Sequence, residues 1–276
     1  MITAMNTMNQ LQKQLDIISH NIANAQTTGY KRREASFGEL LVQQFNNQPN
    51  NRAEVGRMTP MGVRHGVGAK LSQVRVNLDQ GSLVSTGRLL DFAITREDQY
   101  FKVLTERGNR LNITYTRDGA FYLSPINDDE VQLVTSQGDP VLDENDNPIV
   151  FSGNFKDIIL NERGMLTVTN ENGTVQTISL GIVRINKPQF LQQIGDNLYS
   201  LPENFAQLNV AEEDILINLT GLERDSIALV QQSLEQSNVN IGDELTKMMQ
   251  TQRAYQFQAR AITLADQMQG LVNGLR

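Results

Sequence analysis

The two ends of the chain carry matching apolar seams more than two hundred residues apart, and this pairing constrains the fold more than any other feature. From Met5 the seam runs through Met8, Leu11, Leu15, Ile18, Ile22 and Ala25, in steps of 3, 3, 4, 3, 4 and 3. At the other end Ile241, Leu245, Met248, Gln252, Tyr255, Ala259 and Ile262 step by 4, 3, 4, 3, 4 and 3. Leu264, Met268, Leu271 and Leu275 continue it on a rotated stripe. Such steps hold one face of a helix apolar and are the seam of a coiled-coil-like pair. The pattern predicts a first helix of about 25 residues that stops near Gly29. It predicts a second starting after Asn240, an N-cap residue, with Asp243 and Glu244 in the first turn, where the helix dipole favours negative charge. Residues 1–28 are expected to pair with 240–276. One seam does not cover Ile2, Ile17, Met249, Phe257, Leu264 and Val272, which lie off it, and surplus apolar surface of this kind points to self-association.

Between the seams the texture changes. Residues 43–68 are aperiodic and rich in Asn, Gln, Pro and Gly, which reads as an extended or flexible tract. From about residue 70 short β-type runs follow. Val74, Val76 and Leu78 alternate, "YFKVLT" is a strand, and "VLDENDNPIVF" is a strand, turn and strand. Asp118-Gly119 and Asn172-Gly173 each stand between β-rich runs, the pattern of type I′ hairpins. Residues 222–236 read either way: a capping box at Thr220–Glu223 favours helix, "SIALV" favours strand. The expected fold class is α+β, with paired terminal helices and a central all-β domain of short antiparallel strands. The expected segments are 1–35, the N-terminal helix of an axial core; 36–68, an extended linker tract; 69–225, the β domain; and 226–276, a return segment with the C-terminal helix.

Composition narrows the chemistry. Lys plus Arg is 24 and Asp plus Glu is 31, a net charge of −7 that repels nucleic acid and anionic lipid. There is no cysteine, so disulfides and thiolate chemistry are excluded. No apolar run approaches the roughly 18 residues of a membrane span. The start, MITAMNTMNQLQKQL, lacks the basic and apolar regions of a cleaved signal peptide. "DPVLDENDNPI" clusters four acidic residues, but a calcium loop needs Gly where Pro148 stands and Glu where Asn154 stands, so it reads as a solvated turn. "HGVGAK" departs from both phosphate-loop patterns, because Gly68 is followed by Ala69 and Lys70 and no third glycine stands at Leu71. His20 and His65 lack partners at triad or ligand spacing. Arg117 and Asp118 read as surface turn residues, and Lys31-Arg32-Arg33 as a solvated helix end. No catalytic, cofactor or metal residue is expected, and the chain is expected not to be an enzyme.

Five stretches carry a resemblance. "ISHNIANAQTTGYKR" resembles the N-terminal signature of bacterial flagellar rod and hook proteins. "DQGSLVSTGRLLDFAI" (79–94), "YTRDGAFYL" (115–123), "QQIGDNLYS" (192–200) and "SLEQSNVNIGDELTKMMQTQRAYQFQARAITLADQM" (233–268) are similar, in order, to that family's further blocks. "TPMGVRHGVG" (59–68) is similar to the tract of distal rod proteins, whereas "REDQYF" departs from the family's usual "G-x-G-F-F". The resemblance implies a structural subunit of the basal-body rod, most like the distal rod protein, with a hook or proximal-rod subunit as the alternative. It implies export through the flagellar type III apparatus without a cleaved signal, a place outside the cytoplasmic membrane, and assembly into a helical tube that transmits torque from motor to hook. The implied partners are further copies, neighbouring rod and hook proteins and the export apparatus, with no nucleic acid and no membrane insertion. "QQSLEQSNV" then reads as an extended return segment, and small residues such as Ala23 and Ala25 permit close packing between subunits. A secreted enzyme acting on the cell wall would need a carboxylate pair in a cleft; here the acidic residues fall at turns.

Overall fold

In the computed structural model the described residues are 2–39, 43–45, 63–65, 69–107, 110–161, 163–195, 197–202 and 211–274. They form two compact units. Met1–Ala23, Arg33–Val76 and Asn240–Arg276 make the first; Asn24–Arg32 and Asn77–Val239 make the second. The chain is α+β, with a helix at each end and antiparallel strands between.

In the first unit, helix α1 (Ile2–Ala23) is free of Gly and Pro and is 22 residues long, shorter than the periodicity predicts. It ends before Asn24, where the chain turns: the Thr27 amide donates to the Asn24 carbonyl at 3.2 Å and Thr27 Oγ1 to Asn24 Oδ1 at 3.1 Å. Ala25 therefore lies beyond the helix. The tract expected to be extended pairs with itself. Strand β1 (Arg33–Glu39) runs antiparallel to β4 (Ala69–Val76), with a bulge between Ser36 and Phe37. β2 (Gln43–Phe45) pairs with β3 (Val63–His65), in register with the Glu39↔Ala69 end of the β1–β4 pair. The rest of that tract lies outside the described residues.

The second unit holds the other strands. β5 (Leu83–Ser85), β6 (Phe92–Ile94), β7 (Gln99–Arg107) and β8 (Arg110–Thr116) come first. β9 (Tyr122–Pro125), β10 (Glu130–Val134), β11 (Val150–Ser152), β12 (Phe155–Leu160), β13 (Met165–Asn170) and β14 (Val175–Ser179) follow. β15 (Ile182–Ile185), β16 (Gln192–Gln193), β17 (Leu198–Ser200), a short helix α2 (Glu212–Ile215), β18 (Leu216–Asn218), β19 (Leu229–Gln231) and β20 (Ser233–Glu235) complete it. The largest sheet has the order β16-β17-β8-β7-β15-β18; β11-β10-β9 and β12-β13-β14 are three-stranded; β19-β6 and β20-β5 are two-stranded ribbons. Phe92, Phe101, Phe121, Leu133, Phe151 and Leu166 sit in one buried core, and Phe101 and Phe121 meet edge to face at 5.2 Å.

Two turn expectations fare differently. Asn172-Gly173 closes the β13–β14 hairpin, but among its residues only Gly173 has positive φ, so the turn is not type I′. Asp118-Gly119 does not close a hairpin. β8 pairs with β7 and β17 while β9 pairs with β10, so the two runs belong to different sheets. Gly119 is needed for another reason: a Cβ there would lie 1.7 Å from the Phe92 carbonyl oxygen. The ambiguous stretch becomes a 3-10 turn, Gly221–Ser226, without a Thr220 side-chain cap, followed by strands β19 and β20.

The first unit is completed by helix α3 (Ile241–Gly274), 34 residues or about 51 Å. Asn240 caps it as the sequence predicts, its Oδ1 accepting from the Gly242 and Asp243 amides at 3.0 and 3.4 Å.

Candidate functional site

Helix α1 packs along α3 and against β1 and β4. The end of α1 meets the start of α3 at Asn21, which fixes the two helices as antiparallel. Asn21 is buried, and its amide does three jobs. Its Nδ2 donates to Glu244 Oε2 at 3.1 Å and to the Arg33 carbonyl at 2.9 Å, and its Oδ1 accepts the Arg33 amide at 2.9 Å. Glu244 is buried too and takes a second donor, Lys247 Nζ, at 2.8 Å. The asparagine of "HNIAN" thus holds α1, β1 and α3 together.

The sequence-predicted packing residues divide into two groups. Ile18 is buried, and Met8, Leu11, Leu15, Ile22, Met248, Tyr255, Ala259 and Ile262 are half-buried. Ala23, Ile241, Leu245 and Met268 are exposed, and Ala25 is half-buried in the turn after α1. The covered side of α3 is small and polar in large part: Glu244 and Thr251 are buried, and Ala254, Gln258, Ala261 and Ala265 are half-buried. Many of its apolar side chains face outward, with Phe257 and Leu271 each 71% exposed and Met249, Leu264 and Val272 above half. All of 266–274 is exposed, consistent with a helix about 18 Å longer than the roughly 33 Å of α1. Each such side chain would contribute about 1.5–3 kcal/mol if fully buried, and here that apolar surface is left in solvent.

The second unit contains a buried polar cluster that the sequence pattern did not reveal. Arg117 is fully buried, Lys31 is 1% exposed and Glu235 2%. Lys31 Nζ donates to Glu235 Oε1 and to the Asp79 carbonyl, both at 2.8 Å. Arg117 Nε donates to Glu235 Oε2 at 2.8 Å, and its Nη2 lies 2.6 Å from the same oxygen. The remaining guanidinium donors go to the Arg96, Gln99 and Ile94 carbonyls. Glu235 Oε1 also accepts the Gly81 amide at 2.9 Å, and its carbonyl accepts the Gly29 amide at 2.9 Å. Burial first, and then repulsion from Arg117, lowers the Lys31 pKa, against the opposing pull of Glu235.

Neighbouring residues continue the network. Thr28 Oγ1 donates to Asp118 Oδ1 at 2.7 Å, and Asn197 Nδ2 to Asp118 Oδ2 at 3.1 Å. Burial raises the Asp118 pKa, partly offset by the Thr28 bond. Asn238 Oδ1 accepts the Arg32 amide at 2.7 Å, while its Nδ2 donates to the Asn77 and Asp79 carbonyls at 3.0 and 2.9 Å. Two glycines allow the close approach. A Cβ on Gly29, whose φ is +67°, would lie 2.5 Å from the Asp118 amide nitrogen, and one on Gly81 would lie 1.9 Å from the Gln236 carbonyl oxygen.

Two expectations are overturned here. Lys31 is not part of a solvated helix end, and Arg117 and Asp118 are not surface turn residues. Charge and turn context suggested exposure, but these groups are buried because partners up to 204 residues away satisfy them. Their only signal in the sequence was their place inside, or beside, the blocks that carry the family resemblance, "TTGYK", "DQGS", "YTRDG", "GDNLY" and "LEQSN". The acidic turn at 139–146 is held by internal contacts: Asp143 Oδ1 accepts the Asn145 and Asn147 amides at 2.8 Å, Asp146 pairs with Lys102, and Glu144 with Arg224. Among the described residues no cluster of His, Asp and Glu is arranged to hold a metal ion, and no helix is long and apolar enough to cross a membrane.

Comparison with known proteins gives three family matches. Residues 1–31 match the family described as Flagella basal body rod protein, 96–177 the Flagellar hook protein FlgE/F/G D1 domain, and 230–275 the Flagellar basal body rod FlgEFG protein C-terminal region. The chain is 44% identical, over 280 aligned positions, to the flagellar hook-basal body complex protein FlhP of Bacillus subtilis, covering all of this chain and 98% of that protein. It is 34% identical to the flagellar basal-body rod protein FlgG of Buchnera aphidicola, over 93% of this chain and 92% of the relative. It is 33% identical to FlgG of Borreliella burgdorferi, over 99% and 97%.

Proposed function

Since this chain belongs to the family of flagellar basal-body rod and hook proteins, we propose that copies of it stack through their terminal helices into a helical tube that carries torque from motor to hook. It is a structural subunit of the rod. The outward apolar face of α3 carries this reading. Phe257, Leu264, Met268 and Leu271 have no cover within the first unit, and in a tube they pack on α1 and α3 of neighbouring copies. The seam of Met8, Leu11, Leu15, Ile18 and Ile22 against Met248, Tyr255, Ala259 and Ile262 forms a coiled-coil-like pair, and Ile241, Leu245 and Ala23 take part in contacts between subunits. Such contacts are heterologous and do not close on themselves, which is the condition for a helical filament.

The subunit works without cofactor, metal or catalytic group. Its partners are further copies, adjacent rod and hook proteins and the flagellar export apparatus, and it acts in the flagellar basal body, outside the cytoplasmic membrane. A distal position in the rod is supported by "TPMGVRHGVG" (59–68), of which only 63–65 lie among the described residues. A hook or proximal-rod position is the second reading; the match of 96–177 is to a domain described for FlgE, FlgF and FlgG alike and fits either position. Electron microscopy of the purified protein at rising concentration tests both. Straight, stiff tubes are expected for a rod subunit and curved ones for a hook subunit. A protein that stays monomeric at high concentration overturns the assembly reading.

A further inference from the structure

The buried cluster of the second unit has an uneven charge count. Two cations, Lys31 and Arg117, share one carboxylate, Glu235, and the three side chains are 1% exposed or less. Among the described residues Glu235 is the one carboxylate paired with either cation. The three come from separate parts of the chain. Lys31 precedes almost the whole second unit, Arg117 follows strand β8, and Glu235 ends β20, 204 residues after Lys31. A buried cation without its counter-charge is strongly disfavoured, and here removing one anion strands two.

The backbone around Glu235 is arranged as a strap. Its carbonyl holds the Gly29 amide, its Oε1 holds the Gly81 amide, and the next residue donates to the Ser82 carbonyl at 2.9 Å. Three residues on, Asn238 holds the Arg32 amide. Residues 235–238 thus bind both 29–32 and 79–82, whereas none of the three cluster side chains belongs to the apolar core around Phe101 and Phe121.

We propose that residues 233–239 are a closing strap that opens while the apolar core stays formed: Glu235 neutralises Lys31 and Arg117 together, so residues 28–31 dock on the β unit only when the strap does, and these two segments order as one event. A chain whose return segment is absent or undocked then keeps its first segment loose as well. This inference concerns the monomer and does not depend on assembly.

Amide hydrogen exchange of the full chain, at a concentration below association, tests it. Glu235→Gln should speed exchange at Gly29, Gly81 and Gln236 by on the order of 100-fold or more, while Phe121 and Val141 keep their protection. Lys31→Met leaves the Arg117–Glu235 pair one to one, so the same strap amides should speed up measurably but far less, by about 2- to 10-fold. The double variant Lys31→Met/Glu235→Gln strands one cation rather than two and should be better protected than Glu235→Gln alone. Unchanged strap amides in Glu235→Gln, core amides that accelerate in step with them, or a double variant as open as Glu235→Gln would each overturn the proposal. If Glu235→Gln yields no folded protein, Lys31→Met decides: exchange at Gly29 unchanged, or a loss of protection that spreads to Phe121, sinks it.

Discussion

In the β unit the large side chains turn inward, charged ones included: Tyr30, Arg117 and Lys31 are as hidden as Phe92 and Phe101. In α3 the reverse holds, with Phe257 and Leu271 in solvent while Glu244 and Thr251 are buried. The first arrangement satisfies itself. Each buried cation has carbonyls and a carboxylate within reach, and glycines at 29, 81 and 119 let the strands close around them. The second leaves its apolar surface without cover in its own unit. The contrast separates two kinds of segment in one chain: blocks that hold the β unit together, and a helix face left exposed, which the proposed assembly would cover.

That contrast can be broken most severely at a glycine. Gly119→Ala puts a methyl group where the Phe92 carbonyl oxygen stands, 1.7 Å away. Because backbone rather than a flexible side chain must give way, the β unit should lose more than about 3 kcal/mol, read as a fall in its denaturant midpoint. An unchanged midpoint would mean the close approach is not rigid.

The open face predicts a different outcome. Phe257→Asp removes apolar surface from a site that is 71% exposed in the monomer. Monomer stability should change by less than about 0.5 kcal/mol, yet concentration-dependent assembly should be lost, because each added subunit would bury a charge. Filaments that still form, seen by sedimentation and electron microscopy, would place the contacts elsewhere.

A smaller loss is expected at the joint of the helical unit. Asn21→Ala removes the bonds to both backbone groups of Arg33 and one of two donors to buried Glu244. A cost of about 1–3 kcal/mol follows. It should appear as faster exchange in α1 and leave strap amides such as Gly29 unaffected; a loss shared equally by both units would contradict their separation.

The smallest effect concerns Asp118, whose folded pKa is raised by burial above the model-peptide value of 3.8. Between that value and the raised one, the folded state holds more protons than the unfolded state, so stability due to Asp118 falls as pH rises through this window. Relative to Asp118→Asn, the parent should therefore lose stability as pH rises above about 4. A gain over that range would show that the Thr28 and Asn197 bonds outweigh the desolvation.

How much of this was readable in advance follows from how local each signal is. Asn240 as a cap and the long C-terminal helix depend on neighbours within a turn or two, and both were legible. The strand at 233–235 was ambiguous from propensity and needed the motif resemblance to be read as extended. The end of α1 was misplaced because Ala25 continues the seam in sequence, while the turn at 24–27 is fixed by bonds between Asn24 and Thr27 that periodicity does not register. Asp118-Gly119 looked like a hairpin because dipeptide chemistry says nothing about which sheet receives the next strand.

By itself, then, the sequence determined the helical ends, the β-rich middle, the surplus of apolar side chains and the family. Only the tertiary structure decided which side of α3 those side chains occupy, and that Lys31, Arg117 and Glu235 are buried together. The reason is physical: periodicity is set by contacts three or four residues apart, whereas the burial of a charge depends on whether a counter-charge arrives, and for Lys31 that partner lies 204 residues along the chain.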